Sequence, residues 1–223
     1  MFIKPHQFYS KAVFSQCAED LIIDYIFNLR GISKPSYIDI GAGHPWHINN
    51  TAFFYLKGSR GINIDPNGDH IRLFNMVRRK DINLNMGIAV ESGDKDFYVL
   101  DDFTLSTFSK KDADHSVQNG HQIKKITKVA VENIAKVILK YADGRFPDFL
   151  NIDVEGLELE ILSGIDFKDN YPKIICVETA EYSPVGAGKK RKGLMQYIES
   201  KGYYLYADTN LNSIYVKNEF WFK

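Results

Sequence analysis

The chain has 223 residues, and its 28 basic and 28 acidic side chains give a formal net charge of zero. This length suits one α/β domain with a substantial core, and the balanced charge gives no general affinity for nucleic acid. No apolar run approaches the length of a membrane span, and the first residues lack the apolar segment of a secretory signal. Cys17 and Cys176 match no metal-binding or redox spacing. These observations predict one cytoplasmic domain over residues 1–223, with a helical extension over about 1–34.

The first predicted element is a helix over residues 15–29, whose apolar residues fall on one face. Ser15 is a candidate N-cap, and Gly31 is a stop signal. Gln16 and two acids occupy the first turn. Acids there commonly complement the helix dipole, and the alternative is that this turn, with Gln16, faces a ligand.

A short apolar strand then runs into a glycine turn over residues 36–43. Gly41 and Gly43 permit backbone torsions that other residues avoid, and they let a ligand approach the main chain. A second strand, over residues 61–65, ends in Asp65. A glycine turn after one strand and a carboxylate at the tip of the next is how α/β folds bind an adenosine, because the acid accepts hydrogen bonds from the ribose.

Two classes of cofactor compete for this turn. A dinucleotide site needs a third glycine where this sequence has Trp46. Asp39, within the first strand, suits a ligand with a cationic amino group, and S-adenosylmethionine (SAM) carries one. The pattern favours SAM, and the alternatives are another nucleotide or a turn whose glycines serve only its shape.

The loop after the glycines contains His44 and His47, each of which is either solvated or close enough to the cofactor for a catalytic or substrate-binding role. Asn50 and Thr51 lead into a short predicted helix over residues 52–57. Backbone amides at the start of a helix can bind a carboxylate such as that of SAM. Asn50 and Thr51 are therefore predicted cofactor contacts.

The middle of the chain predicts, in order, a helix over 69–79, strands over 82–90 and 97–100, a long polar loop over 101–122, an extended segment over 126–131 and a helix over 132–141. A loop as long as 101–122 inside a compact domain is often functional, for example as a lid.

Two later strands end in acids. A buried strand over residues 149–152 runs into Asp153 and Glu155, and a strand over 174–177 is followed by Glu178. Ligands of open parallel sheets bind beyond the carboxyl ends of the strands. The sequence therefore predicts that these acids share an edge with the glycine turn and Asp65.

A glycine-rich basic segment follows over residues 184–193, and it contains Lys189 and Lys190. It has no Walker spacing. It is either a solvated loop or a mobile cationic loop that closes over an anionic acceptor. A helix over 194–200 and a pair of strands over 203–207 and 213–216 complete the chain.

Four stretches together carry a resemblance to a known family: residues 15–20, 37–42, 60–66 and 151–158. In this order they resemble the FkbM family of SAM-dependent methyltransferases over about residues 13–216. The run Asp-Val-Glu-Gly-x-Glu is close to a family signature. Gly43 stands where the family often has Asn, and Asp65 stands where it often has Glu. Asp is one methylene shorter than Glu and still reaches a ribose.

The resemblance implies an α/β, Rossmann-like class I methyltransferase with about seven mostly parallel strands, the last one antiparallel, and helices on both faces. It implies transfer of a methyl group from SAM to a hydroxyl of a sugar, nucleotide sugar or glycan precursor. The alternatives are another small or phosphorylated acceptor and a SAM-binding module without catalysis.

An oxygen acceptor must be aligned with the methyl group and must lose its proton. The candidate catalytic residues are Asp153, Glu155, Glu178 and His47. The carboxylates among them serve either as the base or as ligands of a divalent metal. Gln16, His44, Lys189 and Lys190 are the candidate substrate contacts.

Overall fold

The computed structural model describes residues 12–154, 156–181 and 188–223. The described strands are β1 (Tyr37–Ile40), β2 (Gly61–Asp65), β3 (Ile82–Asn85), β4 (Gly87–Ile88), β5 (Gly93–Leu100), β6 (Ile123–Glu132), β7 (Phe149–Ile152), β8 (Ile174–Glu178), β9 (Tyr203–Asp208) and β10 (Asn212–Lys217). The described α-helices are α1 (Glu19–Leu29), α2 (Ala52–Leu56), α3 (Gly68–Val77), α4 (Lys110–Gln118), α5 (Ile134–Tyr141), α6 (Glu158–Ser163), α7 (Lys192–Ser200) and α8 (Asn218–Phe222).

The main sheet has seven strands in the order β3-β2-β1-β7-β8-β10-β9. Strands β3, β2, β1, β7 and β8 pair in parallel, and β10 is antiparallel to both of its neighbours. This is the Rossmann-like α/β fold that the sequence predicts, with one antiparallel strand near the end of the chain. The parallel strands bring the ends of β1, β2, β7 and β8 to the same edge.

Helices cover both faces of the main sheet, so every residue of β1 is buried. Successive side chains of a strand point to opposite faces. Ile38 and Ile40 pack in one apolar cluster with residues of α5, α6 and α7. Tyr37 packs in a second cluster with residues of α1 and α2. The same alternation turns Asp39 toward the α1 and α2 face, away from Ile38 and Ile40.

A second sheet, in the order β4-β6-β5, is inserted between β3 and α5. The single strand predicted over residues 82–90 is wrong, because the chain turns at Met86 and its two halves enter different sheets. The long loop predicted over 101–122 is also wrong in part. It contains a 3-10 turn (Phe103–Leu105) and helix α4, whose weak apolar pattern reflects the single buried residue Ala113.

The first helix begins at Glu19, four residues later than the sequence predicts. The N-cap position is Ala18 and not Ser15. The Ser15 hydroxyl contacts the first turn from outside the helix, because it donates to Oδ1 of Asp20 at 2.8 Å and accepts the backbone N–H of Asp20 at 3.4 Å. Ala18 has a left-handed conformation, with φ at 67°, and breaks the helical path at that point. Among the described residues, no helix combines the length and apolar composition that crossing a bilayer requires.

Candidate active site

The glycine turn after β1 lies against the chain that follows β7. Gly41 has φ at 78°, and a Cβ added there would lie 1.7 Å from the carbonyl oxygen of Asp153. Only glycine fits this approach. Gly43 also has a positive φ, at 58°, but a Cβ there would have no neighbour within 4 Å. The main chain at Gly43 therefore borders open space, where a ligand can reach it.

Asp65, at the end of β2, is held beside this turn. Its Oδ2 accepts a hydrogen bond from the backbone N–H of Gly43 at 2.8 Å, and its Oδ1 accepts one from the backbone N–H of Asn67 at 2.7 Å. Nδ1 of His70 lies 3.3 Å from Oδ1. The carboxylate is fixed at the edge of the sheet, and Oδ2, with a single partner, has a further lone pair with which to accept a hydroxyl hydrogen bond.

The main cleft opens between the glycine turn and the inserted sheet, and its empty volume, including its mouth, is about 970 Å³. This is the size of a site for a small organic ligand. Its apolar lining comes from both sheets and from the loop after β7: Ile64, Pro66, Met86, Ile88, Phe97, Phe108, Val154 and Leu157. Thr104, Ser106 and Thr107, from the segment predicted as a lid over 101–122, also line the cleft.

A smaller polar cavity lies on the other side of Gly41. Its lining consists largely of carboxamides and carboxylates: Gln16, Asp39, Asn49, Asn50, Asn151, Asp153 and Asn212. The main cleft and the polar cavity share Gly41, Ala42, Ile48 and Asp153. Asp153 therefore stands where the two spaces meet.

Asp153 has a carboxylate that accepts no hydrogen bond from a described residue. Its backbone N–H donates to the carbonyl oxygen of Ile40 at 3.0 Å, which ties it to the end of β1. Although the side chain is accessible from the cleft, the surrounding protein displaces enough water to raise the pKa of Asp153. The nearby carboxylates of Glu158 and Asp39 raise this pKa further, and Arg191 opposes them.

Glu178, at the end of β8, is the second acid with a raised pKa. Burial is the main cause, Asp153 adds to it, and Arg191 opposes it. Oε2 of Glu178 is buried without a hydrogen bond, 3.5 Å from the guanidinium of Arg191. The same guanidinium lies 2.5 Å from Oε2 of Glu158. Arg191 thus bridges two buried acids beside Asp153. Glu155 lies outside the described residues.

Two of the basic side chains after residue 188, Lys190 and Arg191, already pair with acidic side chains of the protein. Nζ of Lys190 donates to Oδ1 of Asp208 at 2.7 Å and to the hydroxyl of Thr179 at 3.0 Å. Lys189 is exposed. The structure therefore does not offer Lys190 as a free cation. Residues 184–187 of the predicted basic loop lie outside the described residues.

Asp39 is fully buried, and protein groups occupy both of its oxygens. Oδ1 accepts from Asn151 Nδ2 at 2.8 Å. Oδ2 accepts from the Thr51 hydroxyl at 2.7 Å and from Asn49 Nδ2 at 3.3 Å. Burial raises the pKa of Asp39, and these hydrogen bonds oppose that shift. Asp39 acts here as a structural hub, and the structure does not bring Thr51 to either cavity.

Three histidines line the main cleft: His44, His47 and His70. Nδ1 of His44 accepts the backbone N–H groups of Trp46 and His47 at 3.2 and 3.1 Å. Burial, together with His47 and His70, lowers the pKa of His44. A neutral His44 that accepts at Nδ1 carries its proton on Nε2. His44 is therefore a hydrogen-bond donor at that nitrogen.

Arg78 is a residue that the sequence analysis does not single out, and its side chain is fully buried. Its guanidinium donates to five side chains: Asp81, Asn49, Tyr37, Thr51 and Asn63. Asn49 in turn donates to the carbonyl oxygen of Ala42 at 3.0 Å. Arg78 thus supports the glycine turn from beneath, although it touches neither cavity.

A metal centre is a separate question. Within residues 12–154, 156–181 and 188–223, no three His, Cys, Asp or Glu side chains come together as a group that could hold a metal ion.

Comparison with known proteins decides the family. The family model described as the methyltransferase FkbM domain matches residues 39–205. The chain belongs to the FkbM methyltransferase family. This confirms the resemblance carried by the four sequence stretches. A search of curated proteins found no match for this FkbM-family chain.

Solved structures also resemble the FkbM-family chain. The methyltransferase FkbM from Methylobacillus flagellatus is 16% identical with a TM-score of 0.48, and the match covers 82% of this chain but 44% of that protein. A putative O-methyltransferase from Klebsiella pneumoniae is 9% identical with a TM-score of 0.46, covering 93% and 83% of the two chains. The 1,6-didemethyltoxoflavin-N1-methyltransferase from Burkholderia thailandensis, solved with bound 1,6-didemethyltoxoflavin and S-adenosylhomocysteine, is 10% identical with a TM-score of 0.42, covering 90% and 77%.

Proposed function

We propose that this FkbM-family chain is a SAM-dependent O-methyltransferase that acts on a hydroxyl of a sugar or glycan precursor. The observation that carries the proposal is the carboxylate of Asp153. It accepts no hydrogen bond from a described residue, it lies where the main cleft and the polar cavity meet, and its pKa is raised. A perturbed carboxylate at the meeting point of two cavities is a candidate general base.

The lining of the two cavities fits a cationic cofactor. Among the described residues, neither cavity is lined by Lys or Arg, whereas Asp39, Asp65 and Asp153 line one or both of them. Such a surface attracts the sulfonium and ammonium groups of SAM and repels the pyrophosphate of a dinucleotide. Because residue 41 must be glycine beside the Asp153 carbonyl, no side chain separates its main chain from a ligand in the cleft. Asp65 would hold the ribose, and the apolar walls of the cleft would hold the adenine.

SAM supplies an activated methyl group when it is bound. Asp153 would accept the proton that the acceptor hydroxyl loses as the methyl group passes from the sulfur of the cofactor to the oxygen, which leaves S-adenosylhomocysteine. Because the free carboxylate has a raised pKa, it is partly protonated in the absence of ligand. A positive charge bound beside Asp153 lowers this pKa and frees the base when the cofactor is present. Arg191, between Glu158 and Glu178, limits the repulsion from these neighbouring acids.

The surroundings of Asp153 favour an uncharged, hydroxyl-rich acceptor. Gln16 lines the polar cavity and His47 lines the main cleft. Both side chains are exposed, so they can exchange hydrogen bonds with hydroxyl groups. No described Lys or Arg side chain lines either space, so a neutral sugar is favoured over a nucleotide sugar or a phosphorylated metabolite.

The test is a methyl-transfer screen that measures S-adenosylhomocysteine release with neutral saccharides, nucleotide sugars and sugar phosphates, each with and without Mg²⁺ or Mn²⁺. We expect transfer to a neutral saccharide. In that reaction Asp153→Asn should lower kcat about 10²-fold, the scale of losing a general base. Asp143→Asn is the matched control, because Asp143 is exposed and Asn tolerates its φ of 50°. A folded Asp153→Asn enzyme with near-normal turnover would refute the assigned role of Asp153.

A further inference from the structure

The carboxamide of Asn212 in the polar cavity has a fixed orientation. Its Nδ2 donates to Oε1 of Glu19 at 3.0 Å, and the Thr209 hydroxyl donates to the same oxygen at 2.7 Å. Glu19 is fully buried. Burial alone would raise the pKa of Glu19, but hydrogen bonds from Thr209, Asn212 and the Cys17 backbone outweigh it and lower the pKa. An ionised carboxylate only accepts hydrogen bonds, so Asn212 must turn its NH₂ to Glu19 and leave Oδ1 free.

The carboxamide of Asn50 is oriented in the same way through one intermediate. Asp39 accepts a hydrogen bond from Nδ2 of Asn151 at 2.8 Å. Oδ1 of Asn151 then accepts from Nδ2 of Asn50 at 2.8 Å. The NH₂ group of Asn50 is therefore directed to the interior of the protein, and its Oδ1 remains.

The polar cavity consequently offers hydrogen-bond acceptors from three residues. Oδ1 of Asn50, Oδ1 of Asn212 and the carboxylate of Asp153 accept no hydrogen bond from any described residue. The buried side-chain atoms without a partner among the described residues do not include Oδ1 of Asn50 or Oδ1 of Asn212, so both oxygens remain accessible to solvent. Two buried carboxylates thus set the polarity of the cavity: Glu19 acts from outside the lining, and Asp39 acts through Asn151, with both of its oxygens occupied by protein groups.

We propose that this acceptor cluster binds the α-ammonium group of the cofactor, with Glu19 and Asp39 as positioning residues. The inference rests on the proposed function. An ammonium group has three N–H donors, which matches acceptors from Asn50, Asn212 and Asp153. Donor hydroxyls of the methyl acceptor share this hydrogen-bonding chemistry. The charge of Asp153 and of the buried carboxylates stabilises a cation and gives no comparable gain to a neutral hydroxyl.

The test compares three ligands by calorimetry. S-adenosylhomocysteine has the ammonium and carboxylate groups, its decarboxylated analogue keeps only the ammonium, and methylthioadenosine has neither. In Glu19→Gln, the new side chain can donate to Asn212 and reverse its carboxamide. In Asn212→Leu, the cavity oxygen is lost at similar volume. We expect both variants to bind the first two ligands about tenfold or more weakly, the scale of a lost hydrogen bond to a charged group, and to bind methylthioadenosine as the wild type does.

Methylthioadenosine also reports folding, and Asn28→Leu on the exposed face of α1 is the control for the substitution itself. Equal losses for all three ligands, or no loss for any, would overturn the inference. So would a loss confined to S-adenosylhomocysteine, which would assign the cavity to the carboxylate. Unchanged cofactor affinity with a raised KM for the methyl acceptor would assign it to that substrate. A wild-type protein that binds none of the three ligands would instead refute the proposed function, and this inference with it.

Discussion

Replacing Arg78 with Met should cost the fold more than any surface change, because Arg78 is a fully buried cation at the centre of a polar network. Its Nε lies 3.0 Å from Oδ2 of Asp81, whose side chain is also fully buried. The guanidinium carbon lies 4.9 Å from the ring centroid of Phe74. Met fills much of the same volume but donates no hydrogen bond, so the change removes the charge and its contacts while leaving little empty space.

The expected loss of unfolding free energy depends on how well the partners of Arg78 are satisfied once the guanidinium is gone. Asp81 keeps hydrogen bonds from the Tyr37 hydroxyl at 2.7 Å, the Gly61 backbone at 3.0 Å and Asn63 at 3.1 Å, but it loses its countercharge. Removing one partner of a buried ion pair costs about 3–5 kcal/mol. Because three donors remain on Asp81, we expect Arg78→Met to fall near the lower end, at about 3 kcal/mol.

Urea unfolding measures this loss as a shift of the midpoint at unchanged slope. The double variant Arg78→Met with Asp81→Asn is the decisive control. It removes the orphaned charge, so it should be more stable than Arg78→Met alone. Exposed Arg79→Met tests the substitution itself. A loss below about 1 kcal/mol, the size of one ordinary hydrogen bond, would refute the reasoning. So would a double variant no more stable than the single one.

Further outcomes follow from single residues. Asp65→Ala should weaken SAM binding by about 1.5–3 kcal/mol in calorimetry, and unchanged affinity would contradict the ribose contact. Gly41→Ala should abolish SAM binding, because the added Cβ would clash with the carbonyl oxygen of Asp153. Gly43→Ala leaves room for the Cβ but places Ala at a positive φ, so it should cost about 1–2 kcal/mol of stability in urea unfolding. Ala18→Gly should raise the unfolding free energy by about 0.5–1 kcal/mol by relieving a left-handed Ala; no gain would argue against strain there. Since only ionised Asp153 accepts a proton, kcat/KM for SAM should rise with pH through the raised pKa of Asp153 in the free enzyme, and Asp153→Asn should lose this dependence.

The parallel sheet could be predicted because its signals are local. Ile38 and Ile40 stand beside glycines that end the strand, and Asp65 ends the next strand. Helix α4 could not be predicted in this way, because Ala113 is the single residue that it buries. A local sequence pattern predicts elements that bury a stripe of apolar residues, and α4 has no such stripe.

The supporting network of the site could not be predicted, because its partners are distant in the chain. Arg78 joins residues up to 41 positions away, and Asn212 donates to a carboxylate 193 positions away. The placement of Asp39 is different, since the alternation of β1 could have revealed it. Asp39 lies between Ile38 and Ile40, which face α5 to α7, so its side chain must point to the other face of the sheet.

The position of Asp39 explains how a charge buried within the sheet can influence the sheet edge that carries the glycine turn. Parallel register aligns Asp39 with Asn63 on β2 and with Asn151 on β7, so polar side chains form a row beneath the glycine turn. Asp39 accepts hydrogen bonds from this row through Asn151, and from the loop after the turn through Asn49 and Thr51. A buried carboxylate is costly unless such donors surround it. The requirement to satisfy Asp39 therefore fixes both the loop that shapes the turn and the carboxamide that orients Asn50, which links the two sides of the candidate site through one residue.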